Sequence, residues 1–463
     1  MSSPQMTKNF SVFDCDAHIN DPLEIWDKFV EPEYRELVKQ SYWNTPERAI
    51  LNGRELVTGG HDAPRDSITI NGITIGGPGA DKRVQRRLMR MRLTPEQCRY
   101  LDHRGAYDAA ARIKELDVMG IDQVLVIPTM MVNYFPFIEN VDGAYALARA
   151  YNNWVRDWCD TAPDRLYPAA LIPIQNPDYA VKELERAAKL KFPVALVRPI
   201  DANGLYPNRI FWPADKMAND GYGSLDPLFR AIEETGMVLG MHTFPAPIGI
   251  ERELPWSPGE LIEKAGAGTG KLVVNSTFSF IFEAMTWTAQ VLLSGFLDRY
   301  PKLKMAIFES NASWLPELLD HCDLLFKLFA SERKQPARRL PSEAFNEQCM
   351  ISFESDEKPL YRDWERFENV GIWASDVYHH DASDAWTALR FMRNAEVPSS
   401  VQEKLMGSNA RRFYGIEGKI FVNRELPIER PDWFPKRGEE FDRWWEKEAF
   451  PNKNTGARAG ASK

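Results

Sequence analysis

Two periodicities alternate along the chain. Short apolar, β-prone runs recur, and after most of them apolar residues return every three or four positions, the spacing of an amphipathic helix. The short runs are SVFDCDAH (11–18), QVLVIP (123–128), LYPAALIP (166–173), PVALVRP (193–199), MVLGMH (237–242), LKMAIFE (303–309), CMISFE (349–354) and GIWASD (371–376). Helical stretches between them include AAARIKELDVMG, AYALARAYNNWVRDW, YAVKELERAAKL, LDPLFRAIEETG and SWLPELLDHCDLLFKLF. Strands that alternate with helices predict a parallel sheet, and eight such units predict a closed α/β barrel of the (β/α)8 type. A doubly wound sheet is the rival, but no GxGxxG follows any of the strands.

Two regions exceed a minimal barrel. Between the first strand's helix (22–39) and a helix near 106–118 lies an insertion of about 40–105. It holds AILNGRELV and SITINGITI, in which Asn-Gly between β-prone residues predicts hairpins, and the basic stretch DKRVQRRLMRMR, read as a helix beside them. A Pro- and Gly-rich loop insertion, 244–280, follows the fifth strand, where it would cover a pocket; Trp256 lies in it as a candidate pocket wall. The C-terminal tail, 420–463, carries aromatics suited to packing across a subunit boundary, and past Lys453 it reads as disordered. The whole of 1–463 reads as one barrel domain.

Composition narrows the partners. The formal charge of −9 argues against nucleic acid or an anionic membrane, both of which reward a basic face. Cys15, Cys98, Cys159, Cys322 and Cys349 are scattered without a CxxC pair, as free thiols in a reducing compartment would be. MSSPQMTKNF lacks the apolar core of a signal peptide, and no run nears the ~20 apolar residues of a membrane span. The expectation is a soluble, cytoplasmic protein.

The chemistry sits at strand ends. Asp16, His18, Arg198, His242, Glu309, Glu354 and Asp376 all fall at the C-terminal ends of their runs, the face on which barrel enzymes build their sites. Alternation along the first strand points Asp16 and His18 the same way. Singly, each has a plainer role: Asp16 or Asp376 as a helix cap, with Ser383 the better cap for the last helix, and His18 as an ordinary hydrogen-bonding residue. Together, Asp16, His18, His242 and Asp376 form a mixed N/O set suited to Zn²⁺, Mn²⁺ or Fe²⁺. Arg198 is either a structural ion-pair partner or a carboxylate anchor. His379 and His380, on the eighth loop, would face the substrate or support a ligand. His61, His103 and His321 read as surface or structural residues.

DAHIN after an apolar strand resembles the opening motif of the amidohydrolase superfamily, in its amidohydrolase-related branch. PLFRAIEETGMVLGMHTF, GFLDRYPKLKMAIFESNASWLPELLDHCD, ISFESDE, WASDVYHHD and EKLMGSNARRFYGIE are similar to that branch's later blocks, in the same order, so the resemblance runs from about 11 to 417. It implies a distorted TIM barrel, commonly dimeric, in metal-dependent decarboxylases and hydrolases. It also implies metal ligands at Asp16, His18, His242 and Asp376. Asp16 stands where many members carry His, and Glu309 where the decarboxylases usually carry a catalytic His.

Three readings follow from the resemblance. The first is decarboxylation or hydrolysis of an organic, aromatic or polycyclic carboxylic acid or derivative. In it Asp376 is ligand and proton acceptor, Glu309 a second acid/base with its pKa raised by an aromatic pocket, and Arg198, His379 or His380 holds the substrate anion. The second is a non-haem diiron monooxygenase acting on a terpenoid or acyl-CoA substrate, with two Fe held by Asp16, His18, His242, Glu309 and Asp376 and completed by His379 or His380. The third is a metal-free binding protein. A small-molecule substrate and a homodimer complete the expectation.

Overall fold

QVLVIP and VALV bury every residue, the signature of strands covered on both faces rather than one. The structure, a computed structural model, describes residues 7–19, 21–44, 49–56, 68–70, 73–75, 104–106, 108–199, 224–243, 275–333, 338–379, 382–418 and 420–422. In it the predicted runs form one eight-stranded sheet: β1 (Phe13–Ile19), β2 (Gln123–Pro128), β3 (Leu166–Leu171), β4 (Val194–Val197), β5 (Val238–His242), β6 (Lys304–Phe308), β7 (Cys349–Phe353) and β8 (Gly371–Trp373). Each strand pairs in parallel with the next in sequence, the winding of a (β/α)8 barrel. Closure between β8 and β1 is made beyond the end of β8: Ala17 bridges Val377, Asp376 N donates to Asp16 O at 3.0 Å, and His18 N donates to Val377 O.

Alternation fills the lumen. Leu125 and Ile127, Val194 and Leu196, and Ala306 and Phe308 point inward from their strands; Phe413 and Tyr414 plug the bottom. Gly240 lies between inward-facing Val238 and His242, and a Cβ there would meet Val194 Cγ1 at 2.5 Å and Phe308 Cε2 at 2.8 Å. The lumen beneath the mouth therefore has no room for even one more methyl group at this position.

β1 breaks the alternation. Its register against β2 slips between Asp14 and Ala17, a bulge that opposes three steps of β1 to two of β2. Below it Phe13 and Cys15 face the lumen; above it Ala17 and Ile19 pack outward. Asp16 and His18 thereby reach the mouth, while Asp14 turns toward β8 and accepts hydrogen bonds from Ser375 N (2.9 Å), Ser375 Oγ (2.5 Å) and Asp16 N (3.1 Å). Burial pushes the Asp14 carboxyl up to about 7 against those donors.

The helices follow their sequence signals. Asn140, Asn176, Asp108 and Asp384 cap the first turns of Val141–Cys159, Pro177–Lys189, Ala109–Met119 and Ala385–Asn394, and left-handed Gly120 and Gly236 follow Met119 and Thr235. The cap of the last of these is Asp384, which accepts from Thr387 N at 2.7 Å, and not Ser383. The helix expected over 22–39 is instead two single turns, Ile25–Phe29 and Pro32–Tyr34, and a short α-helix, Arg35–Ser41, because Pro32 forces Glu31 to an extended conformation. Phe280–Leu293 is a helix, so the loop insertion after β5 ends earlier than 280.

Both hairpins form, at 49–51/54–56 and 68–70/73–75, and residues 42–44 add a third strand to the first. Asn52 and Gly53 take the left-handed angles of a type I′ turn. The Asn52 side chain donates to Phe137 O at 2.8 Å and accepts from Glu139 N at 3.0 Å, which ties this sheet to the loop after β2 on the mouth side. The basic stretch, His61, His103, Cys98, Trp256, His380 and the tail beyond 422 lie outside the described residues. Cys15, Cys159, Cys322 and Cys349 are free and buried. No helix among the described residues is long and apolar enough to cross a membrane.

The closure predicts a measurable cost. Asp14→Ala leaves the Ser375 and Asp16 amides without their acceptor, and losing a buried partner costs about 1–3 kcal/mol per orphaned group. Relief of the buried carboxyl offsets part of this, so urea unfolding followed by circular dichroism should show a loss of about 2–3 kcal/mol.

Candidate metal centre

The mouth gathers three carboxylates and three imidazoles from four strand ends. Asp16 and His18 lie within β1 above its bulge, and His242 ends β5 facing inward by the same parity as Val238 and Gly240. Glu309 follows β6 at φ +47°, and Asp376 lies three residues beyond β8 at φ +57°. Such left-handed angles are unfavourable for residues with a side chain, and they cluster where function fixes an orientation. His379 reaches the group from one turn after Asp376. All but Glu309 and His379 are essentially buried, and those two are nearly so.

His18 is the hub. Its Nε2 lies 3.1 Å from Asp16 Oδ1, 3.6 Å from Asp376 Oδ1, 3.9 Å from Glu309 Oε2 and 3.3 Å from His242 Nε2. His242 Nε2 is 3.0 Å from Glu309 Oε2 and 3.5 Å from Asp16 Oδ2. His379 Nδ1 is 2.6 Å from Asp376 Oδ1 and 3.7 Å from Glu309 Oε1, and its ring stacks on that of His18 at 4.0 Å. The atoms form two overlapping sets that could each hold an ion, Asp16/His18/His242/Glu309 and His18/Glu309/Asp376/His379; within each, one atom per residue lies within 4.8 Å of all the others.

Tautomer and charge suit ligation. His18 Nδ1–H donates to Pro128 O at 3.1 Å, so Nε2 offers its lone pair to the cluster. Burial and the neighbouring His379 push His18 down to about 4, which keeps it neutral. Burial opposes charge on His242 too, but Asp16 and Glu309 outweigh it and raise that imidazole to about 10. Burial raises Asp16 and Glu309, yet the imidazoles prevail: His242 and His18 hold Asp16 well below the carboxylate range, and His242 and His379 bring Glu309 down to about 2. The expectation of a raised Glu309 is thus corrected, because its walls are imidazoles rather than aromatic hydrocarbon. His379 is raised well above its ordinary value by Asp376 and Glu309 despite burial.

A cation fits this donor set. Two ligand nitrogens on one ion with bonds of 2.0–2.1 Å lie about 2.9–3.4 Å apart, and the His18–His242 separation of 3.3 Å falls in that range. Both oxygens of Asp16 and Oε2 of Glu309 are buried and face the His18 and His242 Nε2 atoms at 3.0–3.5 Å, so the same oxygens and nitrogens that pair without an ion would share one as ligands.

A profile of the amidohydrolase family matches residues 131–416, more than half of the chain. The chain belongs to the amidohydrolase family. Asp16 and His18 lie before the matched stretch, and the barrel's closure brings them to it. A γ-resorcylate decarboxylase of Rhizobium radiobacter is 22% identical over 342 residues, 69% of this chain and 90% of that protein. Among solved structures, an amidohydrolase from Mycobacterium avium subsp. paratuberculosis K-10 superposes with a TM-score of 0.62 at 18% identity, covering 88% of this chain and all of its own. A dihydroxybenzoic acid decarboxylase from Polaromonas sp. JS666, solved with manganese and 2-nitroresorcinol, superposes with a TM-score of 0.56 at 16% identity, covering 88% of this chain and 97% of its own.

The predicted ligands converge, with one regrouping: Glu309 joins Asp16, His18 and His242, while Asp376 falls in the second set with His379. Arg198, just past β4, does not join either set. It is buried, its Nε lies 3.2 Å from Glu283 Oε1, and its Nη1 donates to Asn133 O and Oδ1 at 3.0 Å, the structural half of the two roles expected for it. Sequence reasoning missed Arg112, which is buried and donates to His18 O at 2.5 Å and to Gly105 O at 2.8 Å, between the Tyr378 and Trp158 rings. Its signal was present: Arg112 shares the apolar helix face of Leu116 and Met119.

Two outcomes follow for metal binding. His18→Ala and His242→Ala should each weaken Mn²⁺ or Zn²⁺ binding by at least about 100-fold in competition titrations, since each removes a nitrogen donor. The ion must also displace the His242 proton, held up to a pH of about 10. Apparent affinity should therefore rise with pH between 6 and 9, by up to roughly tenfold per unit for each proton released. Calorimetry in buffers of different ionisation enthalpy counts those protons.

Proposed function

We propose that this chain is a metal-dependent carboxy-lyase that removes CO₂ from an aromatic carboxylic acid. The observation that carries the reading is the mouth cluster, where a neutral His18 is held with Nε2 toward Asp16, Glu309, Asp376 and His242. The γ-resorcylate and dihydroxybenzoate decarboxylases that the chain resembles supply the substrate class. Asp16, His18, His242 and Glu309 would hold a divalent ion, Zn, Mn or Fe, with Asp376 at its edge. When bound, that ion supplies a Lewis acid for the substrate's carboxylate and adjacent oxygen.

The proton follows from the residues themselves. Decarboxylation adds a proton to the ring carbon, breaks the carbon–carboxylate bond and returns that bond's electron pair to the ring, releasing CO₂. His379, protonated against Asp376 at 2.6 Å, is the proton store, and Asp376 Oδ1 is the relay that faces the mouth. Glu309 Oε1 lies 3.7 Å from the same Nδ1 and holds the imidazolium in place from the other side. Burial excludes water, so these charges act at full strength on the reacting carbon. His380 would be a further group for the substrate anion.

A second reading has one observation in its favour. Two overlapping ligand sets lie at the mouth, and their residues, Asp16, His18, His242, Glu309, Asp376 and His379, would between them hold two Fe, which would supply O₂ activation in a non-haem diiron oxygenase. Elemental mass spectrometry with an activity screen separates the readings. The protein loaded with Mn²⁺, Zn²⁺ or Fe²⁺ should convert a member of a hydroxybenzoate panel to the phenol plus CO₂ without consuming O₂. Two Fe per chain with substrate-dependent O₂ uptake, or hydrolysis without CO₂, would overturn it.

Removing the relay is expected to be severe. Asp376→Asn should lower kcat by about 10²–10⁴-fold, the usual worth of a positioned acid or base, while the fold persists. Single-turnover measurements of CO₂ release with metal-loaded protein check it.

A further inference from the structure

Glu309 is the cluster member whose aim contradicts strand alternation. Phe308 fills the lumen, so the next residue of an extended chain would face the helices. A φ of +47° turns Glu309 back to the mouth, and Asn311 repeats the left-handed geometry at +53°. Conformations of this kind cost on the order of 1–3 kcal/mol each and persist only where the surroundings impose them.

The turn that follows Glu309 is bound by a carboxylate from the next loop. Glu357, four residues past the end of β7, is buried; its Oε2 accepts from Ala312 N at 2.9 Å, Ser313 N at 3.1 Å and Ser313 Oγ at 2.8 Å, and its Oε1 accepts from Glu354 N at 2.9 Å. Successive backbone N–H groups after a left-handed residue form a concavity that binds anions. Here the anion belongs to the chain itself. Upstream, Thr243 Oγ1 donates to Glu309 O at 2.5 Å and Glu309 N donates to Ser352 Oγ at 3.2 Å, which fix the peptides on either side of Glu309 but not the turn that follows.

We propose that Glu357 is a positioning residue, the internal anion of the 311–313 turn, which keeps the Glu309 carboxylate beside His242 and His18. It belongs to neither ligand set. The proposal rests on the reading of Glu309 as a metal ligand given above.

Cobalt(II) tests it, because its visible bands report ligand number and geometry whatever the substrate. Full-length wild type, Glu309→Gln, Glu357→Ala and Glu357→Gln are titrated with Co²⁺, and the unfolding of each metal-free protein is measured alongside. Glu309→Gln should shift the bands and weaken binding; Glu357→Ala should shift them the same way and raise Kd about 10–100-fold, the usual effect of losing a group that orients a ligand. Glu357→Gln, which keeps an acceptor toward 312 and 313 but sets an amide N–H₂ against Glu354 N–H, should fall between, and it carries the test where the alanine variant does not fold. A purely structural Glu357 would lower unfolding stability while leaving the bands and Kd of the folded fraction within twofold of wild type, and that result overturns the proposal. If Glu309→Gln itself keeps wild-type bands and affinity, the ligand reading of Glu309 fails and takes the brace with it.

Discussion

Three carboxylates, Asp16, Glu309 and Asp376, are buried within 4 Å of one imidazole nitrogen of His18. Like charges so close and so dry cannot all ionise unless positive charge lies among them. Without an ion the chain supplies that charge itself, by raising His242 and His379 until they carry protons. A divalent cation satisfies the same condition more economically, because it neutralises two charges at one point and frees the imidazoles to act as ligands. The acidic mouth therefore suits a cation or a store of protons, the two capacities on which the proposed carboxy-lyase chemistry draws.

Holding such a cluster requires the backbone to depart from regular geometry at three places. The bulge in β1 shifts the strand's phase so that Asp16 and His18 face inward above Phe13 and Cys15. The left-handed residues after β6 and β8 turn Glu309 and Asp376 over the mouth. Each departure is backed by a buried polar group beneath or beside it: Asp14 under the β1–β8 closure, Glu357 in the turn after Glu309, and Arg112 on the carbonyl of His18. Ligands mounted this way have little freedom, which is how a site keeps its reacting groups preorganised. The packed lumen below them, with Gly240 closed over by Phe308 and Val194, gives that mounting a rigid floor.

The solved neighbours share this architecture at 16–18% identity. What a barrel conserves over such distances is the alternation of its strands and the placement of chemistry at their C-terminal ends, while loops and inserted sheets vary. In this chain the inserted three-stranded sheet is fastened to the loop after β2 through Asn52. The acid–imidazole composition of the mouth, with Asp16 on β1 and Glu309 after β6, makes it richer in oxygen donors than a cluster of histidines alone, and harder donors favour Mn²⁺ and Fe²⁺ alongside Zn²⁺.

The sequence by itself determined the eight strands, most of the helices, both Asn-Gly hairpins and the identity of the mouth residues, because those features depend on spacing within a few positions. Val238, Gly240 and His242 show the logic: parity along one strand is enough to send His242 inward. Tertiary structure alone decided the rest. No local pattern in FDCDAH announces a bulge, since plain alternation would set Asp14 on the same face as Asp16 and His18. Parity after β6 would send Glu309 away from the site, and the groups that hold it turned back, Thr243, Ser352 and the Glu357 carboxylate, come from other strands and loops. The charges differed from expectation for the same reason: Glu309 reads in sequence as an acid near aromatics, but the neighbours that set its pKa, His242 and His379, arrive from β5 and the loop after β8. Short-range order is written in adjacent residues, whereas aim and charge depend on groups that meet only when the barrel closes.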